Sequence, residues 1–273
     1  SRLHVLQHIE QALMNGMGID SVGPNVIWHF ARLFVPSQAI DETGKSEFMD
    51  KIKIHVLRTG EVRVSPYLPF GGDDCSIIKA SNQGRIAKGE AIDEQLAELG
   101  MKPSDIDYVL ISHLDCDHAN GLRLVKDAKK ILVSKAEMIG TTRKNFQIRI
   151  RFQKRWWEGV DLETFDWNGT EGPVGKSYDV LGDGSLVMMN IPGHSEGLCA
   201  LKIRNDEGKY VLLFADGGYA TKSWRDMITS GITLDKKMQR QSLQWIREQS
   251  MSPDCIASLA THDTDVQPHV IEL

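Results

Sequence analysis

The sequence predicts an α/β protein in which helices cover a sandwich of β-sheets. Three observations lead to this fold class: apolar runs of strand length recur along the chain, segments with helix-like apolar spacing stand between several of them, and polar residues gather where apolar runs end. Strands that come in groups with helices between them favour layers of helix packed on sheet. The predicted strands are residues 52–57, 107–112, 131–133, 186–191, 199–204, 210–215 and 255–259.

Four segments are predicted to be the helices of this α/β domain. Residues 90–99 have amphipathic spacing and are followed by Gly100, a residue type common just past a helix end. Ser134 and Glu137 have the spacing of a capping box, which predicts a helix that begins at residue 135. Residues 119–128 and 234–249 complete the set.

The first 50 residues differ from the rest of the chain. Residues 4–14 and 26–35 have apolar residues at helix-like spacing, and the stretch after them is polar. We therefore predict a helical N-terminal extension and connector over residues 1–50 and a main domain over residues 51–273. Because the chain starts at Ser1 rather than Met, we expect that its N-terminus is truncated, and a leader or anchor removed before Ser1 is compatible with the sequence.

Composition narrows the classes of function. The chain of 273 residues is 41% hydrophobic and 25% charged, as is usual for a globular protein, and its net charge of −5 argues against a nucleic-acid partner. No apolar run reaches the ~20 residues that span a bilayer, so we expect no membrane contact and favour a cytoplasmic location. The four cysteines are widely spaced, which argues against a disulfide framework or a cysteine-rich zinc site.

The most informative motif follows the strand-like run Tyr108-Val109-Leu110-Ile111. Four residues with metal-binding side chains lie within six positions: His113, Asp115, Asp117 and His118. His113, Asp115 and Asp117 alternate along the chain, so their side chains can point into one cavity. Asp117 and His118 are adjacent and must point differently, which suits ligands of a second ion.

Three more ligand-type residues each follow an apolar run of their own: His194, Asp216 and His262. Together with the first four, they make seven nitrogen or oxygen donors at the ends of separate strands. This number is enough for two metal ions that share a carboxylate, and Asp216 can bridge because a carboxylate offers two oxygens. The pattern therefore predicts a two-metal hydrolase.

With these residues the sequence resembles the metallo-β-lactamase superfamily, whose signature is His-x-His-x-Asp-His. The resemblance covers residues 51–273, the predicted hydrolase domain. Pro192-Gly193-His194-Ser195, the spacing of Asp216 and Tyr219, and His262-Asp263 resemble the N-acyl-homoserine lactonase branch in particular. The resemblance implies a metallo-β-lactamase-type αββα four-layer sandwich with the site at one edge of its two sheets.

The resemblance also implies a ligand set and a mechanism. Metal one would bind His113, Asp115, His194 and Asp216, and metal two would bind Asp117, His118, Asp216 and His262. The implied function is hydrolysis of a lactone or another carboxylic ester by a metal-bridging hydroxide. Tyr219 would hydrogen-bond the developing oxyanion, and Asp117 would shuttle the proton. The expected partner is a small-molecule substrate, and a homodimer is compatible with the sequence.

Two departures from the family pattern stand out. The second His of the signature is Asp115 here, and a carboxylate lowers the charge of the site. We therefore expect two divalent metal ions, either Zn or, because of Asp115, Mn or Fe. The strand pair ending in Asp-Thr-Gly is missing between Cys75 and Glu90, and we hypothesise that residues 80–84 join segments that are not neighbours in the natural polypeptide.

Other functions stay open at this point. Two-metal sites also support phosphoryl transfer, so a phosphodiesterase is one alternative. A second is reduction of dioxygen or nitric oxide at a di-iron centre, and a third is a non-catalytic member of the superfamily.

Two smaller expectations concern residues around the motif. We expect Asp263 to orient a metal-binding histidine. The basic residues from Arg149 to Arg155, which stand beside two tryptophans, are interpreted as the solvated face of a strand, and contact with an anionic or aromatic substrate is the alternative.

Overall fold

The structure, a computed structural model, describes residues 2–7, 25–36, 52–63, 83–85 and 87–273. Most of the predicted connector at residues 36–50 and the hypothesised junction at residues 80–82 lie outside these ranges.

Eight strands form the first sheet. They are β1 Arg2–Gln7, β2 Asn25–Pro36, β3 Lys53–Arg63, β4 Gln83–Arg85, β5 Tyr108–Leu110, β6 Lys130–Ser134, β7 Leu162–Phe165 and β13 His269–Glu272. Their order is β13-β3-β2-β1-β5-β6-β7, and β4 also pairs with β3. The pairs among β1, β5, β6 and β7 are parallel, and the other pairs of this sheet are antiparallel.

Five strands form the second sheet. They are β8 Ser177–Asp179, β9 Leu186–Asn190, β10 Cys199–Arg204, β11 Tyr210–Ala215 and β12 Cys255–Ala260, in the order β12-β11-β10-β9-β8. Only β11 and β12 run parallel among the described pairs of this sheet.

Six α-helices lie in the described part of the chain. They are α1 Ile92–Glu98, α2 Cys116–Ala119, α3 Lys135–Gly140, α4 Phe146–Arg151, α5 Thr221–Arg225 and α6 Lys236–Ser250. The predictions of α1, α3 and α6 are confirmed, and Ser134 caps α3 by accepting a hydrogen bond from the Glu137 amide at 3.1 Å. The predicted helix over residues 119–128 is wrong, because α2 ends at Ala119 and a short 3₁₀ turn, Leu122–Leu124, follows.

Because side chains alternate along the strands, the core consists of three apolar clusters, one between the two sheets and one between each sheet and its helices. On β5 and β6, Leu110 and Leu132 pack in one apolar cluster with residues of the second sheet, such as Met188. The neighbouring residues point to the opposite face, where Val109 packs in a cluster that includes Leu96 of α1. One face of the first sheet is therefore buried against the second sheet, and the other against helices.

The second sheet shows the same division. Val187 of β9 and Phe214 of β11 face away from the first sheet and pack with Ile246 of α6. The layers therefore follow one another as helix, sheet, sheet and helix, and the predicted helix-covered α/β sandwich is confirmed.

The helical prediction for the N-terminal extension is wrong for residues 2–7 and 25–36, which are strands. β1 lies between β2 and β5 and pairs with both, so its main chain is satisfied on two sides. The apolar spacing that indicated helices is overridden by this pairing, and the β-branched and aromatic residues of β2 suit a strand. The pairing also crosses the predicted boundary at residue 50, because Phe34 of β2 pairs with Lys53 of β3.

Among the described residues, every helix is too short or too polar to cross a bilayer.

Candidate metal centre

The centre begins in the buried loop that follows β5. Asp115 stands at the first turn of α2, where its main-chain oxygen accepts hydrogen bonds from the amides of His118 and Ala119 at 2.9 Å each. Aspartate in this position often caps the helix with its side chain. Here the carboxylate turns into the protein instead, towards His113 and His194.

His113 is fully buried at the start of this motif. Its Nδ1 lies 3.0 Å from the hydroxyl oxygen of Ser112, and its Nε2 lies 3.6 Å from Oδ2 of Asp115 and 3.9 Å from Oδ2 of Asp216. The ring is therefore held from behind, while Nε2 faces two carboxylates. This arrangement is typical of a metal-binding histidine whose second nitrogen is held by a hydrogen bond.

The loop after β9 positions His194 by a close approach to α6. Gly193 has a φ of +140°, and a Cβ atom there would collide with the main chain of Gln239. His194 Nδ1 bonds the carbonyl oxygen of Ile232 at 2.7 Å. A carbonyl only accepts, so Nδ1 is the donor and Nε2 remains for the centre, 2.9 Å from Oδ2 of Asp115 and 3.4 Å from Oδ2 of Asp216.

Asp216 lies between the two halves of the centre. The residue before it, Ala215, has a φ of +44°, a strained conformation for a non-glycine residue that is common at functional sites. The Asp216 oxygens face different partners. Oδ2 faces His113 and His194, while Oδ1 lies 3.4 Å from Nε2 of His118 and 2.9 Å from Nε2 of His262.

The donor distances fit two cations. Two ligands of one tetrahedral zinc ion lie roughly 3.3–3.6 Å apart, given metal–ligand bonds of about 2.0–2.2 Å. The separations around Asp216 run from 2.9 to 3.9 Å. Three sets of donor atoms lie within 4.8 Å of one another: His113 with Asp115 and His194, Asp117 with His118 and His262, and His113 with His118 and Asp216.

The structure thus brings all seven predicted ligands together in one place. Their division into two groups that meet at Asp216 agrees with the predicted ligand sets. Their role as metal ligands remains a prediction. Cys116, which stands between them in sequence, is absent from these three donor sets.

Arg151 is the most important residue that sequence reasoning missed. It lies at the end of α4, not on a strand, and it is buried, so the prediction of a solvated strand face is wrong for this residue. Its Nε donates to Oδ1 of Asp115 at 2.8 Å, its Nη2 donates to Oδ2 at 2.8 Å, and its Nη1 donates to the carbonyl oxygen of His194 at 3.0 Å.

The carboxylates of the centre have opposite pKa shifts. Burial works to raise the pKa of Asp115, but the Arg151 charge and the bonds with His113 and His194 outweigh it and hold this pKa well below its usual range. In Asp117, burial and the charges of Asp115 and Asp216 raise the pKa to about 7. Burial also opposes the ionisation of Asp216, yet the charges of His262 and His194 lower its pKa.

Tyr219 lies beside the two groups. Its side chain is buried, and its ring centroid lies 5.0 Å from that of His262 and 6.1 Å from that of His194. Burial and the charge of Asp216 raise the pKa of Tyr219 well above its usual value. The hydroxyl therefore keeps its proton at neutral pH and can donate a hydrogen bond.

Glu137 is a second residue whose role the sequence did not reveal. Its buried carboxylate accepts hydrogen bonds from the Leu114 amide at 3.0 Å, the Ser195 hydroxyl at 2.7 Å and the Gly197 amide at 3.0 Å. It therefore ties the ligand loop after β5 to the ligand loop after β9. The sequence indicated Glu137 only as part of a helix start.

Asp263 does not lie where we expected it. Its Oδ2 accepts hydrogen bonds from the amide and hydroxyl of Thr221 at 2.8 and 2.7 Å, and its Oδ1 accepts one from the Asp265 amide at 3.2 Å. It holds the beginning of α5 rather than a histidine ring. Its short polar side chain, one position past His262, is used for a local main-chain contact.

Comparison with known families agrees with this geometry. The family model described as the metallo-beta-lactamase superfamily matches residues 80–219, just over half of the chain. The chain belongs to the metallo-β-lactamase superfamily. The matched range contains every predicted ligand except His262, which follows β12 beyond the end of the match.

Several relatives of this superfamily member are lactonases by name. The N-acyl homoserine lactonase AttM of Rhizobium radiobacter is 27% identical over 186 residues, which cover 65% of this chain and 66% of the relative. The N-acyl homoserine lactonase of Bacillus cereus is 23% identical over 199 residues, covering 69% and 73%. A probable metallo-hydrolase of Mycobacterium tuberculosis is 28% identical over 166 residues, covering 55% and 51%.

A solved structure supports the fold. A mutant of AiiA from B. thuringiensis with N-decanoyl-L-homoserine bound at its active site superposes with a TM-score of 0.57 at 18% identity, over 90% of this chain and 95% of that one. The metallo-β-lactamase-type fold is thereby confirmed. The relatives named as lactonases and metallo-hydrolases agree with the prediction of a metal-dependent hydrolase. The chain spans about two thirds, 66%, of the length of the AttM relative.

Proposed function

We propose that this chain hydrolyses a lactone or another carboxylic ester at a centre of two divalent metal ions. The observation that carries the proposal is the position of Asp216, whose two oxygens face two separate groups of histidine and carboxylate donors. When bound, two such cations would lower the pKa of a shared water and polarise the ester carbonyl. The naming of the AttM relatives as lactonases supports this substrate class.

In this proposal the histidines and carboxylates hold the cations as the donor groups suggest. His113, Asp115 and His194 would hold the first cation, and Asp117, His118 and His262 would hold the second. Asp216 would serve both. The hydrogen bond from His194 Nδ1 to the Ile232 carbonyl fixes which nitrogen faces the cation.

Asp117 is the proposed proton carrier. Its side chain is 29% exposed, in contrast to the other carboxylates of the centre, so it can reach both the water and the substrate. It would take the proton from the attacking water and return it to the alkoxide that leaves when the ester bond breaks. General acid–base catalysis of this kind is most effective when the pKa of the group lies near the working pH.

Tyr219 is the proposed oxyanion donor. Its hydroxyl stays protonated because burial and the Asp216 charge raise its pKa. Its ring lies beside His194 and His262, which are two of the proposed metal ligands. A donor aimed at the developing negative charge of the carbonyl oxygen would stabilise the transition state more than the substrate.

The test is turnover of a panel of N-acyl homoserine lactones, simple γ-lactones and aryl esters by protein reconstituted with Zn, Mn, Fe or Co. We expect hydrolysis with at least one metal, loss of activity on chelation, and its return when metal is added back. Bis-p-nitrophenyl phosphate in the same panel examines the phosphodiesterase alternative. No ester or lactone turnover with any metal, with or without phosphodiester cleavage, would overturn the proposed substrate class.

A further inference from the structure

The Asp115–Arg151 pair stands in the part of the centre where the family signature has a neutral histidine. The guanidinium meets the carboxylate as a fork, with Nε on Oδ1 and Nη2 on Oδ2, both at 2.8 Å. Both side chains are buried, with exposed fractions of 10% for Arg151 and 9% for Asp115. A buried, two-point contact between arginine and a carboxylate is strong and geometrically specific.

Both oxygens of Asp115 accept hydrogen bonds from Arg151. Oδ1 accepts one from Nε at 2.8 Å, and Oδ2 accepts two, from Nη2 at 2.8 Å and from Nε at 3.0 Å. Oδ2 is also the oxygen that lies 2.9 Å from Nε2 of His194 and 3.6 Å from Nε2 of His113. Arg151 therefore holds the carboxylate with Oδ2 towards the two histidines, and Oδ2 is the donor that Asp115 would present with them to a cation.

The guanidinium also holds a second ligand. Its Nη1 donates to the carbonyl oxygen of His194 at 3.0 Å. One side chain from α4 thus fixes the carboxylate on the loop after β5 and the main chain of the histidine on the loop after β9. These two ligand residues are 79 positions apart in the sequence.

The positive charge of Arg151 changes the net charge of the metal centre. Asp115, Asp117 and Asp216 carry three negative charges when ionised, and the guanidinium offsets one of them. With Arg151 counted, the donor group of His113, Asp115 and His194 would present to a cation the same net charge as a group with a neutral histidine at position 115. The preference for Mn or Fe that we expected from Asp115 rests on an uncompensated carboxylate, and here the carboxylate is compensated.

We propose that Arg151 is a positioning residue of the metal centre, which fixes Asp115 as a one-oxygen ligand and offsets its charge so that the site keeps the selectivity of a histidine-rich pocket. This inference rests on the metal centre of the proposed function, not on its substrate. It assigns a metal preference in which Zn binds more tightly than Mn, as nitrogen-containing sites generally show.

The experiment compares metal affinities of the purified protein and its variants. Zn and Mn dissociation constants are measured by competition with a chromophoric chelator, and the visible absorption of the Co-loaded protein reports the ligand geometry. Arg151→Met removes the fork and the charge, Arg151→Lys keeps the charge without the fork, and Asp115→His/Arg151→Met places a neutral ligand where no cation is needed.

The expected results follow from those roles. Arg151→Met should weaken Zn binding about 10–100-fold, the usual effect of losing a residue that orders a metal ligand, and should weaken Mn binding less, because the freed carboxylate is a harder and more negative donor. Arg151→Lys should shift the Co spectrum while it keeps more of the preference for Zn. The double variant should recover most of the Zn affinity.

The matched control is Arg143→Met. Arg143 makes the same kind of fork with Glu196, at 3.0 and 3.2 Å, but both side chains are exposed and neither belongs to the donor groups. Its loss should leave both dissociation constants and the Co spectrum unchanged.

Other outcomes overturn the inference. If Arg151→Met loses thermal stability but keeps the Zn and Mn affinities and the Co spectrum, Arg151 is only a structural partner of Asp115. If Arg151→Met does not fold, an unchanged spectrum and unchanged affinities in Arg151→Lys lead to the same conclusion. Wild-type protein that binds no metal would refute the inference and the proposed function together, whereas wild type that binds metal but hydrolyses no ester would refute the substrate class alone.

Discussion

Asp115 and Asp117 are two residues apart on one loop, yet they occupy opposite electrostatic surroundings. Asp115 is held by Arg151 and faces two histidines, and its pKa lies well below the usual range despite its burial. For Asp117, burial and two neighbouring negative charges raise the pKa to about 7. In the metal-free protein the same side chain is held as an anion in one place and has a pKa near neutrality in the other.

This difference shows that residue type alone does not determine the pKa of a carboxylate in such a centre. The guanidinium of Arg151 lowers the pKa of Asp115, whereas the negative charges of Asp115 and Asp216 help to raise the pKa of Asp117. In the proposed function both carboxylates hold cations, and Asp117 also carries the proton. Four experiments test these assignments.

Asp117→Asn should have the largest effect on catalysis. An amide cannot accept the proton of the attacking water, so kcat should fall about 10²–10⁴-fold, the usual range for a general acid–base group. Circular dichroism should show an intact fold. Asp254→Asn, which alters an exposed aspartate paired with Lys209, is the matched control and should leave turnover unchanged. Full activity in Asp117→Asn would mean that the measured activity comes from another site.

Asp115→Asn should instead act mainly on stability. It leaves the Arg151 guanidinium buried without its anion, a loss that commonly costs about 3–5 kcal/mol in free energy of unfolding. Urea unfolding of the chelator-treated protein measures this effect. Asp117→Asn, studied in parallel at pH 8, should be no less stable than wild type because it removes a repelled charge. Equal losses in the two variants would contradict the assigned difference.

Tyr219→Phe should lower kcat more than it raises KM. It removes one hydroxyl donor and keeps the ring that packs beside His194 and His262, so the expected loss is about 10²–10³-fold in kcat. Metal content, measured on the same samples, should not change. A variant with wild-type kcat would show that Tyr219 is only a packing residue.

The pH dependence of stability should give the smallest effect. The pKa of Asp117 in the folded, metal-free protein, about 7, lies above its ordinary value of 3.8. Its contribution to the free energy of unfolding is therefore fully present below about pH 4 and is lost as the pH rises through 7. The difference in stability between wild type and Asp117→Asn, measured from pH 4 to 8 after chelation, should follow this course. A difference that stays flat would contradict the raised pKa.

The order of the ligands could be predicted because each one follows an apolar run that ends at the same edge of the sandwich. His194, Asp216 and His262 lie after β9, β11 and β12. The pattern of apolar runs in the sequence was therefore enough to predict that these residues lie close together. The layers of the sandwich could be predicted from the same apolar runs.

The supporting residues could not be predicted, since their partners are distant and carry no local signature. Arg151 meets a carboxylate 36 positions away, and Glu137 meets an amide 23 positions away. Residues 146–151 alternate between apolar and polar types, a pattern typical of a strand, whereas α4 buries Ile148 and Arg151 on one helical face. A buried arginine is identified only by the anion that the fold supplies.

The contact between Gly193 and α6 has a consequence for variation in this protein. The carbonyl of Gly193 accepts hydrogen bonds from the amides of Leu234 and Asp235, so the last residues before the long helix are fastened to the histidine loop. A shift of α6 along its axis would therefore move His194 away from its position beside Asp216. We expect substitutions to be tolerated on the exposed side of α6, for example at Arg240 and Gln244. Where the first turns of α6 contact Gly193, we expect substitutions to be poorly tolerated.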